Sequence, residues 1–457
     1  MIRDERGRLR APPIGRRRVL ALGVEALVVG GVLGACRSSP SPPWSPGSAG
    51  PTRRAGGAPV VDPALVLPAG APLRRGTVIE ARAWGARGDG VSDDTDALRR
   101  ALAAAAALGA PATVALDAGT FLVGRDAALR PGANTVLAGV PGRTTLRLGV
   151  GVAPGSDDFG VGLAVEGADV TVDGLILERA VDADTVLIRL GRADRATLSR
   201  LVLLGHAEAY ARSCHGVEVG TAPGVSTALR LADSVVSACD YGLFQANAST
   251  AVSVGVEVSG CTFARNAASD LEFNSPAGSF RGVRVDRCTF RDNDSEGFAV
   301  GVAYGADVAI TGSTMTRYRM EAVHVEDYSS DVLVAGNTMT ACGLVEFAHV
   351  QVISGASAVT VRDNRFDASA STAPIAVVSA LPGGSGRTAG GRPVAAPRGV
   401  TVADNAFVCS AAARAVSFDG VAGGAVTGNR VSGPGAGPGA LVLRGTSGVA
   451  AAGNVGL

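Results

Sequence analysis

Val256 to Phe263 reads VEVSGCTF, and the same phrase returns as VRVDRCTF (Val283 to Phe290), VAITGSTM (Val308 to Met315), VLVAGNTM (Val332 to Met339) and VTVRDNRF (Val359 to Phe366). Val236 ends a looser earlier copy, so the closing apolar residues Val236, Phe263, Phe290, Met315, Met339 and Phe366 fall 27, 27, 25, 24 and 27 residues apart. A period of that size is the mark of stacked structural repeats. Within a copy the apolar residues alternate with small or polar ones, which is strand patterning with one face buried. A polar turn follows, as in Arg291-Asp292-Asn293-Asp294, and then a second alternating strand. One strand cannot bury its apolar face alone, whereas successive turns of chain stacked in parallel build a continuous core. The repeat therefore predicts an all-β, single-stranded parallel β-helix, a solenoid.

The composition fits. The chain has 457 residues, of which 47% are hydrophobic and 18% charged, with 63 glycines for the many turns that each rung needs. All 42 basic residues are arginine, which excludes a lysine base or Schiff base. A net charge of +1 gives no electrostatic footprint for nucleic acid. The seven cysteines form no CxxC pair and no zinc spacing, so no metal centre is expected from them. Cys261 and Cys288 share one phrase position on neighbouring rungs, and a stacked pair of buried thiols is expected there rather than a bridge.

The first 36 residues read as an export signal. Arg16-Arg17-Arg18 precedes an apolar run from Val19 to Ala35, interrupted by Glu25. Leu33-Gly34-Ala35-Cys36 resembles a bacterial lipobox, which implies lipidation at Cys36, a membrane anchor there and a place on the outer side of the cytoplasmic membrane or in the cell envelope. The arginines with Val19-Leu20 also resemble a twin-arginine signal. Residues 37–76, rich in Ser, Pro and Gly, read as a disordered tether, and 77–457 as one β-helix domain.

At the start of that domain stands AWGARGDGVSDDTDALRRALAAAAALGAPATVALDAGTFLVG, from Ala83. Gly85-Ala86, Gly88-Asp89-Gly90, Asp93-Asp94-Thr95 and Ala118-Gly119-Thr120-Phe121 resemble the N-terminal signature of the pectate-lyase-like superfamily, shared with mannuronan C-5 epimerases and proteins related to glycoside hydrolase family 28. The resemblance implies a right-handed β-helix. Physically, Gly88 and Gly90 suit a tight turn. Ser92 or Asp93 suits the cap of a helix whose apolar face is Leu98, Leu102, Ala105 and Leu108 and which Gly109 stops. That helix is expected to cover the open end of the stack, with the aspartates architectural rather than catalytic.

Roughly a dozen rungs of about 25 residues follow. The step from Phe366 to Phe407 is 41, and residues 381–399 form an inserted loop.

A site in such a fold is a patch of outward columns. Aligning the strand that follows each phrase, with its second and fourth positions inward, sets Asp270, Glu272 and Asn274 on one rung, Ala299 and Gly301 on the next, His324 and Glu326 with Asp327 on the third, and His349 and Gln351 on the fourth. Small residues flanked by carboxylates and a histidine imply a depression able to do acid–base chemistry. Asp270 with Glu296 on the adjacent rung suits a retaining glycosidase, and Glu272 with Glu326 two rungs apart an inverting one. Alternatively His324 abstracts the proton beside a uronate carboxylate that Arg317 or Arg319 neutralises, as a lyase or epimerase requires. Tyr304, Tyr318 and Tyr328 are placed to stack on sugars. No cofactor is required, although a cluster of Asp and Glu also suits Ca2+. The fixed catalytic motifs of family 28 polygalacturonases, pectate lyases and alginate epimerases are absent; only Cys214-His215-Gly216 resembles one of them. The expected partner is a polysaccharide, which is hydrolysed, eliminated or epimerised, or else bound by a non-catalytic adhesive surface.

Overall fold

The computed structural model describes residues 2–3, 9–10 and 70–457, apart from 125–127, 150–158, 221–223, 246–250, 276–278, 294, 296, 344–347, 385 and 389. From Thr77 onward the chain winds into a right-handed parallel β-helix, each regular turn supplying three strands. The turn around Phe290 is representative, with Ser279–Asp286, Thr289–Asn293 and Val300–Ala303. One face of the stack is a sheet of thirteen strands. At about 4.8 Å per strand that gives a rod roughly 60 Å long, in keeping with the dozen rungs expected.

The repeated phrase is two strands rather than one. VEVS belongs to the strand Val252–Ser259, while Thr262 and Phe263 open the strand Thr262–Ala264 in the next sheet. The bend lies at Gly260, Arg287, Gly312, Gly336 and Asp363, all with positive φ between 48° and 65°. A left-handed residue reverses the pleat, which is why alternation read straight through the phrase hides the corner. The residue after each bend turns inward. In the later rungs it is Asn337, Asn364, Asn405, Asn429 and Asn454, each carboxamide oxygen accepting from the preceding asparagine's backbone N–H where there is one. Earlier it is Cys261 and Cys288, both free and buried.

The expected core column is present. Val236, Phe263, Phe290, Met315, Met339, Phe366, Phe407 and Val431 pair rung on rung. The Phe263 and Phe290 rings stack with centroids 5.2 Å apart, and Phe366 and Phe407 at 4.9 Å. At the N-terminal end the helix Thr95–Ala107 buries Leu98, Ala101, Leu102 and Ala105 against the strands Thr77–Glu80, Ala112–Ala115 and Thr135–Ala138. Leu108 falls just past its end and is exposed. The acidic cluster builds this corner: Asp93 accepts from the Thr95 N–H at 2.9 Å, and Asp94 from the N–H groups of Arg87 and Gly88 at 2.6 and 3.1 Å.

The loop after Ala380 leaves its rung and folds back along the corner of the rod. The Gly390 N–H donates to the Tyr304 hydroxyl at 2.6 Å, and the Tyr328 hydroxyl donates to the Pro393 carbonyl. Among the described residues no helix is long and apolar enough to cross a membrane, and the Val19–Ala35 run and Cys36 lie outside them.

Candidate functional site

The site is built on the third strand of successive turns: Leu271–Asn274, Val300–Ala303, Val323–Glu326 and Val350–Val352. Their parallel register sets Phe244, Glu272, Gly301, His324 and Gln351 side by side in one outward column. Period-two alternation in the sequence sets Ala299 opposite Glu272 and Gly301 opposite Asn274. Gly301 instead faces Glu272, and Ala303 faces Asn274. The slip is two residues because the chain takes ten residues from Phe290 to its partner position Val300, against eight from Phe263 to Leu271.

The residue just before each strand also departs from simple alternation. Asp270, Ala299, Ala322 and His349 are all fully buried, since the corner before the strand turns them toward the core. Asp270 is therefore not on the outer face. Its carboxylate accepts from Asn266 Nδ2 at 2.6 Å and from the Tyr318 hydroxyl, and Tyr318 is itself buried rather than free to stack on a sugar. His349 sits edge-on to Phe366, 5.9 Å between centroids, with neither ring nitrogen hydrogen-bonded. Arg317 lies outside the groove and is held by Asp292, its Nε donating at 2.6 Å. Arg319 is exposed on the turn after Tyr318. Glu296 lies outside the described residues.

What remains together is compact. Glu272 leans along the axis over Gly301, where a Cβ would come within 2.7 Å of its Oε2 and 3.1 Å of Phe298 Cδ2. The gap left by the small residue thus houses a carboxyl group and a ring. Phe298 stacks on His324, 4.4 Å between centroids at 15°. His324 lies between two carboxylates, with Glu321 Oε1 3.7 Å from Nδ1 and Glu326 Oε2 3.4 Å from Nε2. Burial opposes the imidazolium, but Glu326 and Glu321 outweigh it and hold the pKa of His324 well above its usual value. Burial has the opposite sign of effect on Glu272. It pushes the carboxyl up to about 7, against hydrogen bonds with Ser269 and Asn274 and with the Glu326 charge adding to the rise. Asn274 is nearly buried and Gln351 half-buried beside them. Asp327, also buried, pairs with the Tyr304 hydroxyl, whose pKa rises to about 12 through burial and then this carboxylate. Among the described residues no group of three or more His, Cys, Asp or Glu is arranged to hold a metal ion.

Sequence reasoning missed the continuation of the column. Glu218 precedes Phe244 in it, and Arg189 precedes Glu218. His215 Nδ1 and Glu218 Oε1 lie 2.8 Å apart, Arg189 Nε donates to Glu218 Oε2 at 2.8 Å, and the His215 ring is packed by Phe159, Tyr241 and Phe244. Extending the register two rungs toward the N-terminus would have found them.

The two buried titratable groups in the corner predict opposite pH effects on stability. Asp270 keeps its proton in the folded protein to about pH 7, whereas an unfolded aspartate loses it near 3.9. The folded state therefore binds more protons across that window, and stability falls as pH rises through it. Burial lowers His349 to about 4, so the folded state binds fewer protons between there and about 6.5, and stability falls as pH drops. Asp270→Asn, which keeps the shape, is expected to gain on the wild type by about 4 kcal/mol between pH 4 and 8. Urea midpoints measured across that range check it, and a gap independent of pH would show that Asp270 titrates normally.

Comparison with known proteins agrees with this architecture. Residues 224–386 match the family described as a right handed beta helix region. Residues 78–161 match the family described as rhamnogalacturonase A/epimerase, pectate lyase-like. No curated protein matches the chain. Among solved structures, the A-module of a mannuronan C-5 epimerase from Azotobacter vinelandii superposes with a TM-score of 0.58 at 18% identity, covering 82% of this chain and 98% of its own. The DFA-IIIase of Arthrobacter chlorophenolicus gives 0.54 at 12% identity, covering 80% and 96%. At such identities the likeness is one of fold. The N-terminal match spans the glycine and aspartate signature and the second match the regular rungs, and together they make the chain a pectate-lyase-like, right-handed β-helix protein.

Proposed function

We propose that the chain is an exported polysaccharide-acting enzyme that hydrolyses glycosidic bonds, with Glu272 as general acid and Glu326 as general base. The observation that carries the reading is the pair of carboxyls facing each other across Gly301 and His324, one raised to about 7 and the other beside an imidazolium. Two carboxyl groups whose surroundings differ in this way suit the division of labour between acid and base. Their backbones stand two rungs and two residues apart, Glu272 in register with His324 and Glu326 with Asn274, a separation of about 12 Å. Glu272 leans over Gly301 and Glu326 toward His324, which narrows the gap toward the roughly 6.5–9.5 Å that leaves room for an attacking water in an inverting hydrolase.

His324 as base for elimination or epimerisation fits less well, because its two carboxylates keep it protonated. With Asp270 in the core, the retaining pair also loses one member. A polysaccharide substrate accords with the rod's open outer face and with a mannuronan-acting enzyme among the proteins of the same fold. Export and a lipid anchor at Cys36 belong to the same reading, and metabolic labelling with a fatty acid in wild type and Cys36→Ala tests them.

Incubation with a panel of acidic and neutral polysaccharides tests the activity. New reducing ends without ultraviolet absorbance are expected. An unsaturated chromophore would indicate elimination instead, and binding without turnover an adhesive module.

A further inference from the structure

The inserted loop carries a charge pattern unlike the groove beside it. Residues 381–399 contain three arginines, Arg387 and Arg392 in the loop and Arg398 at the start of the next strand, and no aspartate or glutamate, whereas the chain as a whole is balanced at 42 basic to 41 acidic residues. The groove itself holds Glu272, Glu321, Glu326 and Asp327 around a single imidazolium. Left alone, it would repel a polyanion.

The loop is also anchored where its charge matters. Gly390 is tied to Tyr304, whose hydroxyl meets Asp327, and Tyr328 is tied to Pro393. Between those anchors the guanidinium of Arg392 lies over the Tyr328 ring, 3.3 Å from its centroid. Tyr328 follows Glu326 by two residues, at most about 7 Å of chain. Stacking on an aromatic face fixes the plane of a guanidinium while leaving its N–H edge open for a planar anion. Arg392 is exposed, and no carboxylate among the described residues pairs with it.

From this placement we propose that the loop is the specificity element of the groove, with Arg392 binding the anionic group, carboxylate or sulfate, of an acidic polysaccharide that lies over Glu272 and His324. The inference rests on the polysaccharide reading above and adds the charge of the substrate to it. A bidentate pair with Arg392 would also orient the sugar relative to Glu326. The role of Tyr328 is then to position the arginine rather than to stack on sugar.

Calorimetric binding to polygalacturonate, alginate, chondroitin sulfate and the neutral polymers inulin and galactan, for wild type and Arg392→Ala, tests it. The wild type is expected to bind acidic polymers at least tenfold more tightly than neutral ones, and Arg392→Ala to lose that preference while binding neutral polymers unchanged. Polygalacturonate and alginate bound at least as tightly as chondroitin sulfate, which carries both groups, assigns the anion as carboxylate, and chondroitin sulfate preferred over both assigns it as sulfate. Equal binding of acidic and neutral polymers by the wild type overturns the inference while leaving the polysaccharide reading intact. Acidic polymers bound as tightly by Arg392→Ala as by wild type also overturn it. Binding of no polymer overturns both.

Discussion

Glu272→Gln is expected to lower turnover of the polymer by about 10²–10⁴ without lowering the melting temperature of the protein. Glutamine keeps the length of the side chain and can still bond to Ser269 and Asn274, so the groove retains its shape. What it removes is the proton. In the wild type, burial holds that proton on the carboxyl up to about pH 7, where it is available to the leaving oxygen of a glycosidic bond. The activity of the wild type should accordingly fall on the alkaline side with an apparent pKa near 7, and the residual activity of Glu272→Gln should lose that limb. Full activity in the variant would remove Glu272 from the chemistry. A large fall in melting temperature would instead mean that the carboxyl supports the groove structurally. Because Glu272 packs over Gly301, any side chain introduced at 301 is expected to displace it and to reduce turnover without touching the acid itself.

The second large effect is on stability, and it comes from the asparagine ladder. Asn364→Ala is expected to destabilise the protein by about 3–5 kcal/mol. The carboxamide oxygen of Asn364 accepts from the backbone N–H of Asn337 at 2.9 Å and from its Nδ2 at 3.0 Å, and its own Nδ2 donates to Val334 O and Asn405 Oδ1. Alanine would strand the Asn337 donors and the Val334 carbonyl in a buried corner, each at about 1–3 kcal/mol. Asn454, at the last step of the ladder and half-buried, should cost less when replaced in the same way. Denaturant unfolding of the two variants measures the difference. Equal small effects would mean that water satisfies the corner and the ladder is incidental.

The fold was legible because its signal is repeated. Phe263, Phe290, Met315, Met339 and Phe366 recur at nearly constant spacing, and each copy votes for the same register, so an error in one rung does not spread. The corners were less legible. Alternation assigns sides correctly only while the backbone stays extended, and a left-handed residue such as Arg287 or Asp363 resets it without an apolar marker. That is why the phrase divides between two sheets, and why Asp270 and His349, each at the mouth of a strand, turn inward although period two sends them out. Gly301 and His324 were placed on the correct face because they lie one position deeper, where the strand is regular. The pKa pattern of the site was not legible at all, since it depends on Glu272 leaning one rung along the axis, a side-chain choice made by Phe298 and the absence of a Cβ on Gly301. The same holds for the loop at 381–399. Its length and composition mark it as an insertion, but only the fold shows that it returns over Tyr304 and Tyr328, which were expected to be free for sugar.

The central claim is that a protonated Glu272 and an ionised Glu326 flank the bond that is broken and leave space between them for water. Proton NMR of the anomeric signal in the first minutes of reaction tests that claim most directly, on whichever polysaccharide yields new reducing ends. The first product is expected to carry the configuration opposite to that of the bond cleaved. Retention of configuration would contradict it, since that outcome needs two carboxyl groups about 5 Å apart and a covalent intermediate, and so would an unsaturated product.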